Sequence, residues 1–145
     1  MAYPSRTGFG YTQRMFLNLS HHSSSDWSSA QLSAAAALAG EVRDFNFPDV
    51  PPELNRDEVL AVGAGVVRMA LAMRPSAAMV QGEFVLTFCV VHALELARVR
   101  CYAATTRRIA SSVALPTGQA EKYSEFEFVQ FRRYGFLKEV TEYAS

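Results

Sequence analysis

The chain has 145 residues, half of them apolar, with 14 basic against 14 acidic side chains. That length fits one folded unit around one core. The neutral balance excludes the broad basic face that duplex DNA requires and leaves room only for a local cluster of cations aimed at a few phosphates.

Residues 1–14 hold turn-formers and aromatics without an apolar stretch of signal-peptide length, and read as a flexible extension ahead of a single α/β domain, residues 15–145. No run approaches the ~18 apolar residues of a membrane helix, so no membrane contact and a cytoplasmic location are expected. Met15 to Leu19 (MFLNL) is a short apolar run, strand one, which stops at the polar cluster Ser20 to Asp26. An alanine-rich helix follows from Trp27 to Ala39, capped by Ser25 or Asp26 and ended by Gly40. Glu41 to Phe47 alternates as strand two until Pro48, Pro51 and Pro52 forbid further pairing.

Helix two is predicted over Arg56 to Met73 with Asn55 as its cap, and Ala77 to Val80 (AAMV) is a buried third strand. Gln81-Gly82-Glu83 then leads into an almost wholly apolar helix from Phe84 to Val99. Arg100 to Ala104 is a fourth short strand, Thr105 to Arg108 a loop, and the next residues to about Val113 a brief helical stretch. After Pro116, Thr117 and Gly118, alternating Phe126, Phe128 and Val129 or Phe131 predict a late aromatic strand, with helix or coil from Gly135. Strands alternating with helices imply a Rossmann-like, open, mostly parallel sheet flanked by helices. Ligands in such sheets lie beyond the carboxyl ends of the strands, at a switch in strand order. The ends at Ser20, Gly82 and Thr106 are therefore expected to converge on one rim.

The first rim loop carries Ser20, His21, His22, Ser23, Ser24 and Ser25. Amides at a helix start and hydroxyls suit a phosphate, and imidazole moves a proton near neutral pH. The plainer reading is that the serines cap a helix and the histidines are solvated. The second loop offers Gln81, Gly82 and Glu83, where glycine permits close backbone approach; Glu83 is equally a favourable first-turn charge, and Thr87 lies one turn on. The third joins Thr105 and Thr106 to Arg107 and Arg108, whose guanidiniums grip phosphate with paired donors. His92 reads as a core or interface histidine, Trp27 as a packing anchor, and Arg132 and Arg133 as surface charges or subunit contacts. Cys89 and Cys101 read as free core thiols. No metal-ligand spacing, GxGxxG or GxxxxGK[ST] occurs, so no cofactor is predicted.

The succession MFLNLSHHSSSDWSSAQ, DFNFPDVPPE, MVQGEFVLTF, AATTRR and FEFVQFRRY resembles small stand-alone CRISPR-associated proteins with a CARF-like domain, the CRISPR-associated Rossmann fold. The resemblance implies a homodimer that binds a cyclic oligoadenylate, with cyclic tetra-adenylate favoured, and a metal-independent ring nuclease that switches off type III CRISPR signalling. It implies proton transfer by His21 or His22 and charge stabilisation by Arg107 or Arg108. Ser20, Ser23, Ser24, Ser25, Gln81, Gly82, Glu83, Thr105 and Thr106 would hold the ligand. Two alternatives stand beside it: a non-catalytic sensor of the same messenger, and an interaction protein that pairs through its late aromatic strand.

Overall fold

The computed structural model describes residues 14–135 and 137–145; the expected extension, residues 1–14, lies outside them apart from Arg14. At the centre of the sheet are β1 (Met15–Ser20) and β3 (Ala77–Val80), which pair in parallel through Phe16 to Leu19. Their residues are buried almost without a break. Strands covered on both faces need no polar alternation, which is why these segments read as plain apolar runs. β2 (Glu41–Asn46) pairs with β1 on the other side, and its half-exposed alternation suits an outer strand.

The helices cover the two faces. Helix α1 (Ser29–Ala39) starts two residues later than predicted because Ser28 is the residue whose side chain accepts from the Gln31 amide. It presents Ala35 and Ala39 to the sheet, where small side chains allow close approach, and Gly40 ends it at φ 86°. Trp27 supplies the bulk on that face, packed edge-on against Phe16 and beside Phe131. The expected packing anchor is in place. Helix α2 (Arg56–Ala72) begins with the predicted Asn55 in a reciprocal capping box with Glu58. With α3 (Phe84–Leu96) it covers the opposite face, burying Val59, Val66, Leu86, Val90 and Leu94 against Leu17, Leu19 and Val80. α3 stops short of Val99, capped at Ala97, and Arg98 takes a left-handed φ of 66°.

The sheet order is β2-β1-β3-β4-β5, parallel through β4 (Arg100–Ala114) with β5 (Ala120–Arg133) antiparallel at the edge. This is the expected mostly parallel α/β architecture, and the late aromatic strand joins it antiparallel to β4. The predicted loop at Thr105 to Arg108 and the helical stretch to Val113 are corrected: all of these residues belong to β4, which runs unbroken to Ala114. β5 correspondingly begins at Ala120, well before Phe126. The reason is a partner distant in sequence. An antiparallel ladder from Tyr102–Arg133 out to Ala114–Ala120, with one bulge at Thr105/Thr106, outweighs the weak local helix preference of Arg107 to Val113. A short helix, α4 (Leu137–Ala144), follows β5. Among the described residues no helix is long and apolar enough to cross a membrane.

Candidate functional site

From β1 the chain moves outward to β2, then crosses back over β1 to β3. The switch in strand order therefore lies between β1 and β3. Their exits leave toward opposite faces, one to α1 and the other to α3, which opens a crevice at the carboxyl edge.

On the β1 side, the loop is fixed by a buried residue that the apolar pattern concealed. Asn18 is 1% exposed, and its amide donates to the His22 carbonyl (2.7 Å) and to Asp44 Oδ1 on β2 (2.8 Å). Ser20 Oγ lies 2.7 Å from Asn18 Oδ1 and accepts the His22 amide at 3.2 Å. A polar side chain inside a buried strand has to find partners, and these are them. Asp44 also accepts from the Ser24 amide (3.0 Å), the Ser24 hydroxyl (3.0 Å) and the Ser23 hydroxyl (3.3 Å). Burial pushes the Asp44 carboxyl up, but the bonds from Asn18, Ser24 and Ser23 outweigh it and hold the group below the usual carboxylate range. The carboxylate thus sits where an external anion would meet the turn Ser24–Asp26, and Ser23 is further engaged with Ser25 at 2.8 Å. His21 and His22 are exposed on the rim. The His21 ring meets Phe47 edge-on at 6.2 Å, and its Nε2 is 3.7 Å from Asp49 Oδ1.

On the β3 side, Gly82 is a steric requirement. A Cβ there would lie 2.5 Å from two carbons of the buried Phe47 ring, so the exit of β2 rests directly on the exit of β3. Gln81 accepts the Ala104 amide on its Oε1 at 2.7 Å, clipping β3 to β4 where the two strands no longer pair. Glu83 is the N-cap of α3, accepting the Leu86 amide at 2.8 Å. Thr87 is buried and lines a cavity between α3 and α4 with Val91 and Tyr134.

The third corner is placed differently from expectation. Level with the rim, β4 is at Ala103, as judged from Met79 pairing with Tyr102. Arg107 and Arg108 lie four and five residues further along the strand, roughly 13–17 Å past the edge at ~3.3 Å per residue. They also diverge. Register puts Arg107 opposite Glu127 and Arg108 opposite Phe126, on opposite faces of the ribbon, and Arg108 Nε donates to Ser124 Oγ at 2.9 Å. Thr105 is spent on the Gln130 carbonyl beside a β-bulge at Thr105/Thr106. A single chain therefore brings together Ser20 to Ser25 with Gln81 to Glu83, and does not bring Thr105 to Arg108 to them.

A family model described as the uncharacterized protein MJ1673 family matches residues 13–132. The chain belongs to this family. No curated protein and no solved structure matches it. The MJ1673 match spans β1 through nearly all of β5, so both sides of the crevice and the ribbon lie within the matched residues.

Other polar groups have structural duties. Glu95, buried on α3, accepts the Cys101 amide (2.9 Å) and pairs with Arg133 Nη2 (3.0 Å), which ties β5 to α3. The hydrogen bond to Glu95 raises Arg133, and burial with the Glu95 charge pushes the Cys101 thiol up to about 12, leaving it protonated and inert. Of the core or interface position expected for His92, the core is excluded: the residue is exposed on α3 and stacks on Phe88 at 6.3 Å. Among the described residues no group of three His, Cys, Asp or Glu is placed to hold a metal ion.

Proposed function

We propose that the chain binds a cyclic oligoadenylate, the tetra-adenylate ring being favoured, and linearises it as a ring nuclease that ends type III CRISPR signalling in the cytoplasm. The observation that carries this reading is the pair of exposed imidazoles, His21 and His22, beside the switch-point crevice whose other wall is the Gln81-Gly82-Glu83 exit. A ribose 2′-oxygen attacks the adjacent phosphorus while the bond to the 5′-oxygen breaks. One imidazole takes the 2′-proton and a proton is delivered to the leaving 5′-oxygen, giving a 2′,3′-cyclic phosphate and a 5′-hydroxyl. Arg107 or Arg108, which lie past the rim of their own chain, would stabilise the charge on the phosphorane from a second copy of it.

The test is incubation of the full chain with cyclic tetra-adenylate in EDTA, with products resolved by chromatography. Loss of the ring is expected, together with a fall of about 100-fold or more in the His21→Ala/His22→Ala variant, the usual worth of general acid–base catalysis. Intact ring after long incubation at excess protein rejects cleavage. A second reading, binding without turnover, is favoured by the position of Arg107 and Arg108, which lie past the crevice of their own chain. It predicts calorimetric binding with no product.

A further inference from the structure

The cavity between α3 and α4 has a volume of about 1020 Å³, at the upper end of the ~300–1,000 Å³ usual for small-molecule sites. Its walls are largely aromatic: Phe84 and Phe88 from α3, and Tyr134 just past β5. Helix α3 is apolar all round, the pattern of a helix enclosed on every side, yet α4 leaves Phe84 89% and Phe88 73% exposed. His92 stacks on Phe88 with the ring planes 8° apart, which restrains that ring.

One polar atom of the lining lacks a partner. Thr87 is 9% exposed, and its hydroxyl oxygen, closed to solvent, makes no hydrogen bond. The polar groups beside it are spent. The Tyr134 phenol donates to the Val80 carbonyl at 2.7 Å, and Glu95 accepts the Cys101 amide at 2.9 Å and pairs with Arg133 at 3.0 Å. Buried hydroxyls are costly to leave unpaired, so an orphan one in the wall of a cavity marks where a partner group belongs.

Charge selects the class of that partner. Glu95, Glu139 and Glu142 line the cavity against a single ammonium, Lys138, and the Arg133 guanidinium offsets one of the three carboxylates. The excess is negative, and it lies beside aromatic rings whose faces attract cations. We propose that the cavity binds an organic cation, an amine carried on an apolar body. Its ammonium donates to the Thr87 hydroxyl among the rings of Phe84, Phe88 and Tyr134, in the field of Glu139 and Glu142. The Thr87 oxygen is reached when α4 yields, and α4 is lightly held, with Val140 60% and Tyr143 96% exposed. None of the residues that hold the amine belongs to the crevice between β1 and β3, and the inference stands whatever that crevice binds.

The test titrates the full chain with 4-phenylbutylamine, 4-phenylbutanol and 4-phenylbutyrate, which share an apolar body and differ in the charge of the head, and follows the backbone amides by NMR. The amine is expected to bind about tenfold more tightly than the alcohol, the scale of a charge-assisted hydrogen bond over a neutral one. The acid should bind most weakly, and the amine should shift the amides of Thr87, Phe88 and Tyr134. Thr87→Val should weaken the amine about tenfold while raising the thermal midpoint of the free chain, because it removes an unpaired buried hydroxyl. Glu142→Gln should weaken binding about threefold, the scale of an exposed charge pair, and Lys138→Gln should tighten it by a similar factor. Both of these residues are exposed, circular dichroism checks that the variants fold, and a merely structural role would not give opposite signs. No binding of the amine, equal binding of the three probes, tighter binding of the acid, or amine binding indifferent to Thr87→Val overturns the proposal.

Discussion

Gly82 and Phe47 form the tightest constraint on the rim, and Gly82 was visible in the sequence only as a turn residue. The structure shows that the space its side chain would need is filled by the Phe47 ring. Gly82→Ala is expected to lower stability by about 1–3 kcal/mol, the range for overpacking a filled core, with part of the loss recovered in Gly82→Ala/Phe47→Leu; urea midpoints of the two variants check this coupling. Asp44 gives a pH signature. Its folded-state pKa is depressed, so its contribution is complete above the unfolded carboxylate value of ~3.9 and is lost as pH falls through the lower folded value. Asp44→Asn should therefore flatten the stability profile in that acid window while leaving its shape near neutrality unchanged, as denaturant titrations at a series of pH values will show. Neither Asn18 nor Asp44 stood out in the sequence. Their bond depends on the register of two parallel strands separated by a whole helix, which no local pattern records.

Elements that depend on near neighbours were legible, and those that depend on distant ones were not. Asn55, as a cap, announced the start of α2, and the apolar runs of β1 and β3 announced buried parallel strands. By contrast, Thr105 to Val113 carries hydroxyls, arginines and alanines that suit a capped helix, and only β5, joined to it through the turn at Gly118, makes it a strand. The paired arginines consequently looked like one phosphate grip, whereas strand alternation sends them apart. The anchor between β5 and α3 is testable at this scale. Arg133→Ala leaves Glu95 buried and charged, with only the Cys101 amide among its described donors, and should cost about 1–3 kcal/mol, the penalty of stranding a buried polar group. Thermal unfolding of Arg133→Ala beside Arg132→Ala, its exposed neighbour, separates this loss from a general effect of removing charge.

At the scale of the whole molecule, the two sides of the sheet are completed at different points along the chain. The position of Phe131 has a further consequence, for the order in which the molecule can be completed. The core beneath α2 and α3 draws its buried residues from Leu17 through Cys101. The layer beneath α1 is finished only when Phe131 comes to rest against Phe16, at 4.9 Å, and Trp27. A nascent chain can therefore consolidate one side of its sheet long before the other, and until β5 emerges it exposes Phe16, Trp27 and the bare edge of β4 together. A late strand thus closes the open face of the first one, so chains truncated before residue 120 should bind hydrophobic dyes and aggregate, while retaining protected amides in β1 and β3.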